Sequence, residues 1–122
     1  MGILSIISIT STLVVAALQF LFLYMQMVVW QTSKGSKAFK LEVNSAQAFK
    51  TLALQQGLYN GFLGAGLIGS LLLADPHYSW LGRCFFLSCV LLAGLLGGLT
   101  AYRKILWLQA CPALVALLLL LL

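Results

Sequence analysis

The sequence is poor in acid: only Glu42 and Asp75 are carboxylic, against seven Lys and Arg, and there is a single histidine, His77. With so few ionisable side chains there is no paired-carboxylate site, no Ser-His-Asp arrangement and no cluster with metal-ligand spacing. No metal and no cofactor is therefore expected. The three cysteines, Cys84, Cys89 and Cys111, form no CxxC pair and have no neighbouring His or acid to complete a zinc site. They read as small packing residues, since buried thiols are usually inert. Charge of either sign is scarce, at 7% of 122 residues, whereas 62% are hydrophobic and the mean hydropathy is +1.07. A water-soluble fold could not hide that much apolar surface.

A membrane span needs about 20 mostly apolar residues, so the chain has room for four helices and no separate soluble domain. The composition predicts an all-α membrane protein, a single four-helix transmembrane bundle with helices over about 3–30, 46–74, 83–102 and 105–122. The first run, Ile3 to Trp30, contains no charge and ends with the interfacial rings Tyr24 and Trp30. No Lys or Arg precedes it, so it lacks the basic start of a signal peptide and is expected to be retained.

Between helices one and two, Lys34, Lys37, Lys40, Glu42 and Lys50 are set among Phe39, Leu41, Val43 and Phe49. This pattern predicts a segment on the membrane surface, its apolar side chains dipping inward and its lysine stems snorkelling. Asn44 with Gln47 has the form of a capping box, placing a helix start just before Ala46. Asp75-Pro76 should end that helix, because the residue before a proline is pushed out of helical geometry. His77 is then expected in a short loop and Arg83 at the start of helix three.

Orientation follows from the basic residues. The loops after helices one and three share a face and hold Lys34, Lys37, Lys40, Lys50, Arg103 and Lys104, against Arg83 alone on the other side. The positive-inside rule makes these loops cytoplasmic and both termini extracytoplasmic, in the cell membrane. The net charge of +5 serves this role, so nucleic acid is not an expected partner.

Gly57, Gly61, Ala65 and Gly69 recur every four residues on helix two, and Ala93, Gly97 and Ala101 do so on helix three. Small residues let helix backbones approach closely in lipid. The ridge serves packing within one bundle, association into a homo-oligomer, or both.

Polar side chains inside spans need partners in hydrocarbon. Gln19 and Gln26 share a face of helix one, Gln56 and Asn60 lie one turn apart on helix two, and Gln109 sits in the first turns of helix four. Such amides form interhelical glue, or else line a pocket open to the inner leaflet. In the second reading Gln19, Gln26, Gln56, Tyr59, Asn60 and Gln109 bind a small polar or amphipathic molecule. Lys34, Lys37, Arg103 and Lys104 then form a basic rim for an anionic headgroup or substrate. A proton-coupled exporter needs an ionisable group within the membrane, and the expected spans contain no acid or histidine. Pro112 frees the carbonyl of Leu108 near Gln109, for a ligand or simply for a bend.

The stretch Leu23-Tyr24-Met25-Gln26-Met27 to Trp30 has a distinctive arrangement, as do Gln56-Gly57-Leu58-Tyr59-Asn60-Gly61-Phe62-Leu63 and Arg103-Lys104-Ile105-Leu106 with Gln109 and Pro112. Together they resemble a bacterial family of small four-helix membrane proteins, domain of unknown function 1304. The resemblance covers nearly the whole chain and implies the fold without an activity. Where the family tends to have an acidic residue followed by His, this chain has Leu18 and Gln19, and where it tends to have Glu, this chain has Gln26. A binding or transporting membrane protein is the expectation. A membrane enzyme that polarises a lipid or isoprenoid substrate with amides and Tyr59 or Tyr24, and a structural or assembly subunit, are the alternatives.

Overall fold

The computed structural model describes residues 2–32, 43–100 and 103–122. Among them the chain is helical, with four α-helices and no strand. Helix α1 spans Ile3–Met27 and runs into a 3-10 turn at Val29–Gln31; α2 spans Val43–Leu72, α3 Pro76–Thr100 and α4 Cys111–Leu121. A π-helical turn, Leu106–Ala110, leads into α4. Two helical stretches, Ile3–Gln31 and Pro76–Thr100, are long and apolar enough to cross a membrane. The segment Leu106–Leu121 is apolar but shorter. Most of the expected surface segment, including Lys34, Lys37, Lys40 and Glu42, lies outside the described residues, as do the side chains of Asn44 and Gln47.

Helix α3 begins at Pro76 rather than Arg83: α2 already stops at Leu72, and the dipeptide expected to end that helix starts the next one. The Asp75 carboxylate accepts from the backbone N–H of His77 (2.8 Å) and Tyr78 (3.3 Å), capping the first turn. Proline at the first helical position loses nothing, because its missing N–H would have had no partner there. His77 therefore lies in a helical turn, not a loop, and Arg83 lies well inside α3. His77 and Arg83 thus both lie in one of the two stretches long and apolar enough to cross a membrane.

Pro112 acts one turn upstream. A regular helix would bond its N–H to the Leu108 carbonyl, but proline has no N–H and its ring crowds that oxygen. The chain widens instead, and the Cys111 N–H reaches back five residues to the Leu106 carbonyl.

The described residues form two compact units. One comprises residues 1–18 and 63–122, with a core of Val15, Ala16, Leu67, Leu87, Val90, Ala113 and Ala116. In it α3 packs on the π turn so closely that a Cβ on Gly94 would stand 2.6 Å from the Ala110 backbone nitrogen. Only glycine permits this approach. The Trp80 indole donates to the Leu120 carbonyl (3.3 Å), tying the start of α3 to the end of α4.

The second unit, residues 19–62, is a hairpin of the latter part of α1 and the first part of α2. Gly57 and Gly61 are buried there, and a Cβ on Gly61 would collide with Leu23. The Gln31 carboxamide donates to the Gln26 carbonyl (3.0 Å) and the Lys50 carbonyl (2.9 Å), and the rings of Trp30 and Phe49 lie 5.3 Å apart. Farther along the same α2 ridge, Ala65 and Gly69 are exposed.

The interior holds polar side chains beside the apolar core, and many large apolar side chains lie on the outside. Ser8, Thr12, Gln19, Asn60, Ser70, Arg83 and Gln109 are buried, while Phe20, Phe62, Leu72, Phe85, Leu96, Leu99 and Trp107 are exposed.

Candidate functional site

Within the α1–α2 hairpin the structure joins two of the expected site residues directly. The Asn60 amide donates to the Gln26 side-chain oxygen at 2.6 Å. The approach of the helices at Gly57 and Gly61, one on either side of Asn60, makes so short a bond reachable. Gln19 lies two turns before Gln26 on the same face of α1. Its side chain is fully buried, and among the described residues neither its nitrogen nor its oxygen has a hydrogen-bond partner. A neutral amide buried without partners is unfavourable by about 1–3 kcal/mol, so this residue is held against its own solvation preference.

Gln109 is also buried, within the π turn, and its amide nitrogen lacks a partner. Beside it, Trp107 stands 75% exposed and separates two shallow apolar grooves. One, of about 280 Å³, is lined by Ser11, Val14, Trp107, Cys111, Pro112 and Val115. The other, of about 270 Å³, lies against Leu91, Leu95 and Leu114. Insertion of a residue into a helical turn re-aims the side chains around it, here turning Gln109 inward and Trp107 outward.

The remaining expected residues are placed differently. Gln56 and Tyr59 are exposed, with the Tyr59 ring 6.3 Å from that of Phe62. Arg103 and Lys104 are exposed, and Lys34 and Lys37 lie outside the described residues. Among the described residues no group of three His, Cys, Asp or Glu is placed to hold a metal ion.

Arg83 was not anticipated as an interior group. It is 9% exposed, and its guanidinium donates to the Ser8 hydroxyl (2.7 Å) and, through two nitrogens, to the Thr12 hydroxyl (3.0 and 3.3 Å). Thr12 passes its own proton to the Ser8 carbonyl (3.0 Å). None of these partners is a carboxylate. The signal for Arg83 was present in Asp75-Pro76: read as a helix cap and first helical residue, the pair places Arg83 about 10 Å into a helix.

The family's sequence pattern matches residues 13–121, and the chain belongs to that family, a protein family of unknown function, DUF1304. This is the family that the residues around Gln26, Asn60 and Gln109 resembled. The chain is 28% identical over 116 residues to the uncharacterised protein YpaA of Lactococcus lactis subsp. lactis (strain IL1403), covering 93% of this chain and 96% of that one. No solved structure matches the chain.

Proposed function

We propose that the chain is a multi-pass membrane protein of four spans that binds a small polar or amphipathic molecule through the carboxamides of Gln19, Gln26 and Asn60, and moves or presents it without chemical change. The many exposed large apolar side chains support insertion of all four helices. A surface of Phe62, Leu72, Leu96 and Leu99 is solvated by lipid tails and not by water. The clustering of Lys34, Lys37, Lys40, Lys50, Arg103 and Lys104 supports a cytoplasmic position for the connections after α1 and α3, with both termini on the opposite side. On that orientation the basic residues belong to connections on the cytoplasmic side, where positive charge attracts anionic groups.

The observation that carries the binding role is the Gln19 carboxamide. Interhelical amide glue would be satisfied by its neighbours, as the Gln26–Asn60 bond is, whereas Gln19 offers one buried donor group and one buried acceptor with no partner among the described residues. A ligand carrying a matching donor and acceptor supplies what the chain does not. The reading is checked by purifying the wild-type, Gln19→Leu and Asn60→Leu chains from the same membranes in mild detergent, denaturing them and comparing the small molecules released by mass spectrometry. A molecule released in proportion to wild-type protein, and depleted from both variants, is expected. Identical extracts from all three chains would overturn the assignment.

A further inference from the structure

The geometry points to a second site, at Arg83, in which the guanidinium and the Ser8 hydroxyl bind one phosphate oxyanion. A guanidinium carries five N–H donors. The bonds to Ser8 and Thr12 engage the Nε and Nη2 edge, and among the described residues the Nη1 group has no partner. The Ser8 hydroxyl accepts from Nη2 and donates its own hydrogen to no described group, whereas that of Thr12 is committed to the Ser8 carbonyl. The hydrogens left unused around this buried cation, on Nη1 and on the Ser8 hydroxyl, are therefore available to an acceptor. Such a constellation recognises an acceptor, and since neither Ser8 nor Thr12 offsets the positive charge, the acceptor it favours is an anion.

The anion's chemistry follows from its surroundings. An arginine fork suits planar or tetrahedral oxyanions. Among the described residues the one acid, Asp75, caps α3 with its carboxylate and is not a partner of Arg83. Arg83 stands about 10 Å along α3 from its start and Ser8 about 8 Å along α1. Tyr78 and Trp80, amphipathic rings of the kind that settle among headgroups, are exposed on the turns between Pro76 and Arg83. An anionic lipid's phosphate is thereby within reach of the guanidinium, and inorganic phosphate shares the same chemistry. The site uses none of the carboxamides assigned above and stands or falls independently of them.

The test uses the full chain in mixed micelles containing phosphatidylglycerol, with native mass spectrometry counting lipid retained through graded removal of detergent and inorganic phosphate added as competitor. The wild-type chain is expected to retain one phosphatidylglycerol. Arg83→Gln should weaken retention by about 10-fold or more, as loss of a charge-assisted bond implies. Arg83→Lys should fall between the two. Ser8→Ala, which leaves the Thr12 contacts in place, should weaken retention about 3-fold to 10-fold without loss of helicity. Displacement of the lipid by phosphate would support the oxyanion site and assign it to the free anion. Equal retention by wild type, Arg83→Gln and Ser8→Ala would overturn it. If Arg83→Gln does not fold, wild-type retention by Ser8→Ala is sufficient to do so.

Discussion

Gln19→Leu should make the protein more stable and less competent. The Gln19 side chain is entirely buried and, among the described residues, has no partner at its nitrogen or its oxygen. Leaving such groups unmet is unfavourable by about 1–3 kcal/mol, and leucine occupies similar space without that penalty. Interpolating between shorter and longer soluble domains, a chain of this length shifts its Tm by roughly 3–5 °C per kcal/mol. The expected rise is then about 3–15 °C in detergent, followed by far-UV circular dichroism during heating. Gln26→Leu supplies the contrast, because it removes the acceptor of the 2.6 Å Asn60 bond and strands a buried amide. Interhelical bonds of this kind contribute about 0.6 kcal/mol on average and up to about 1.7, so its Tm should fall by several degrees. Gln109→Leu, which relieves one unpartnered atom, should rise less than Gln19→Leu. Stability gained at a polar position together with loss of the bound molecule is the signature of a group kept for function. A Gln19→Leu chain melting at or below wild type would refute the reasoning.

Gly94→Ala places a methyl 2.6 Å from the Ala110 backbone nitrogen and should lower stability by about 1–3 kcal/mol, whereas Gly69→Ala, with nothing within 4 Å of the new methyl, should leave the Tm unchanged or raise it; the two melting curves decide this. Pro112→Ala restores an N–H that can bond the Leu108 carbonyl, so backbone chemical shifts of Leu106 to Ala110 should move toward regular α-helical values, and unchanged shifts would show that the π turn has another cause. In a chain whose three native cysteines are replaced by alanine, Lys37→Cys should react with an impermeant maleimide only from the cytoplasmic side and His77→Cys only from the other. The reverse pattern would contradict the proposed orientation.

The helical class, the number of helices and the family were legible in the sequence, because long uncharged runs, their spacing and the segment Gln56 to Leu63 are local properties of the chain. The pairing of Gln26 with Asn60 was only partly legible. Periodicity puts each amide on a helix face, but the close approach at Gly57 and Gly61 decides which of several amides meet. The same periodicity could not distinguish Gln56 and Tyr59, which are exposed, from Asn60, which is buried one turn away from Gln56.

The sequence by itself determined that this chain is apolar, helical and nearly without acids, since composition alone decides what lipid or water tolerates. Tertiary structure decided where its few polar groups are spent. Asp75-Pro76 begins a helix rather than only ending one, which carries Arg83 inward to Ser8 and Thr12, residues far away in sequence. Pro112 widens a turn and draws Gln109 into the interior. Whether a buried amide or guanidinium is satisfied depends on atoms supplied by other helices, and no local pattern in the sequence encodes that distance.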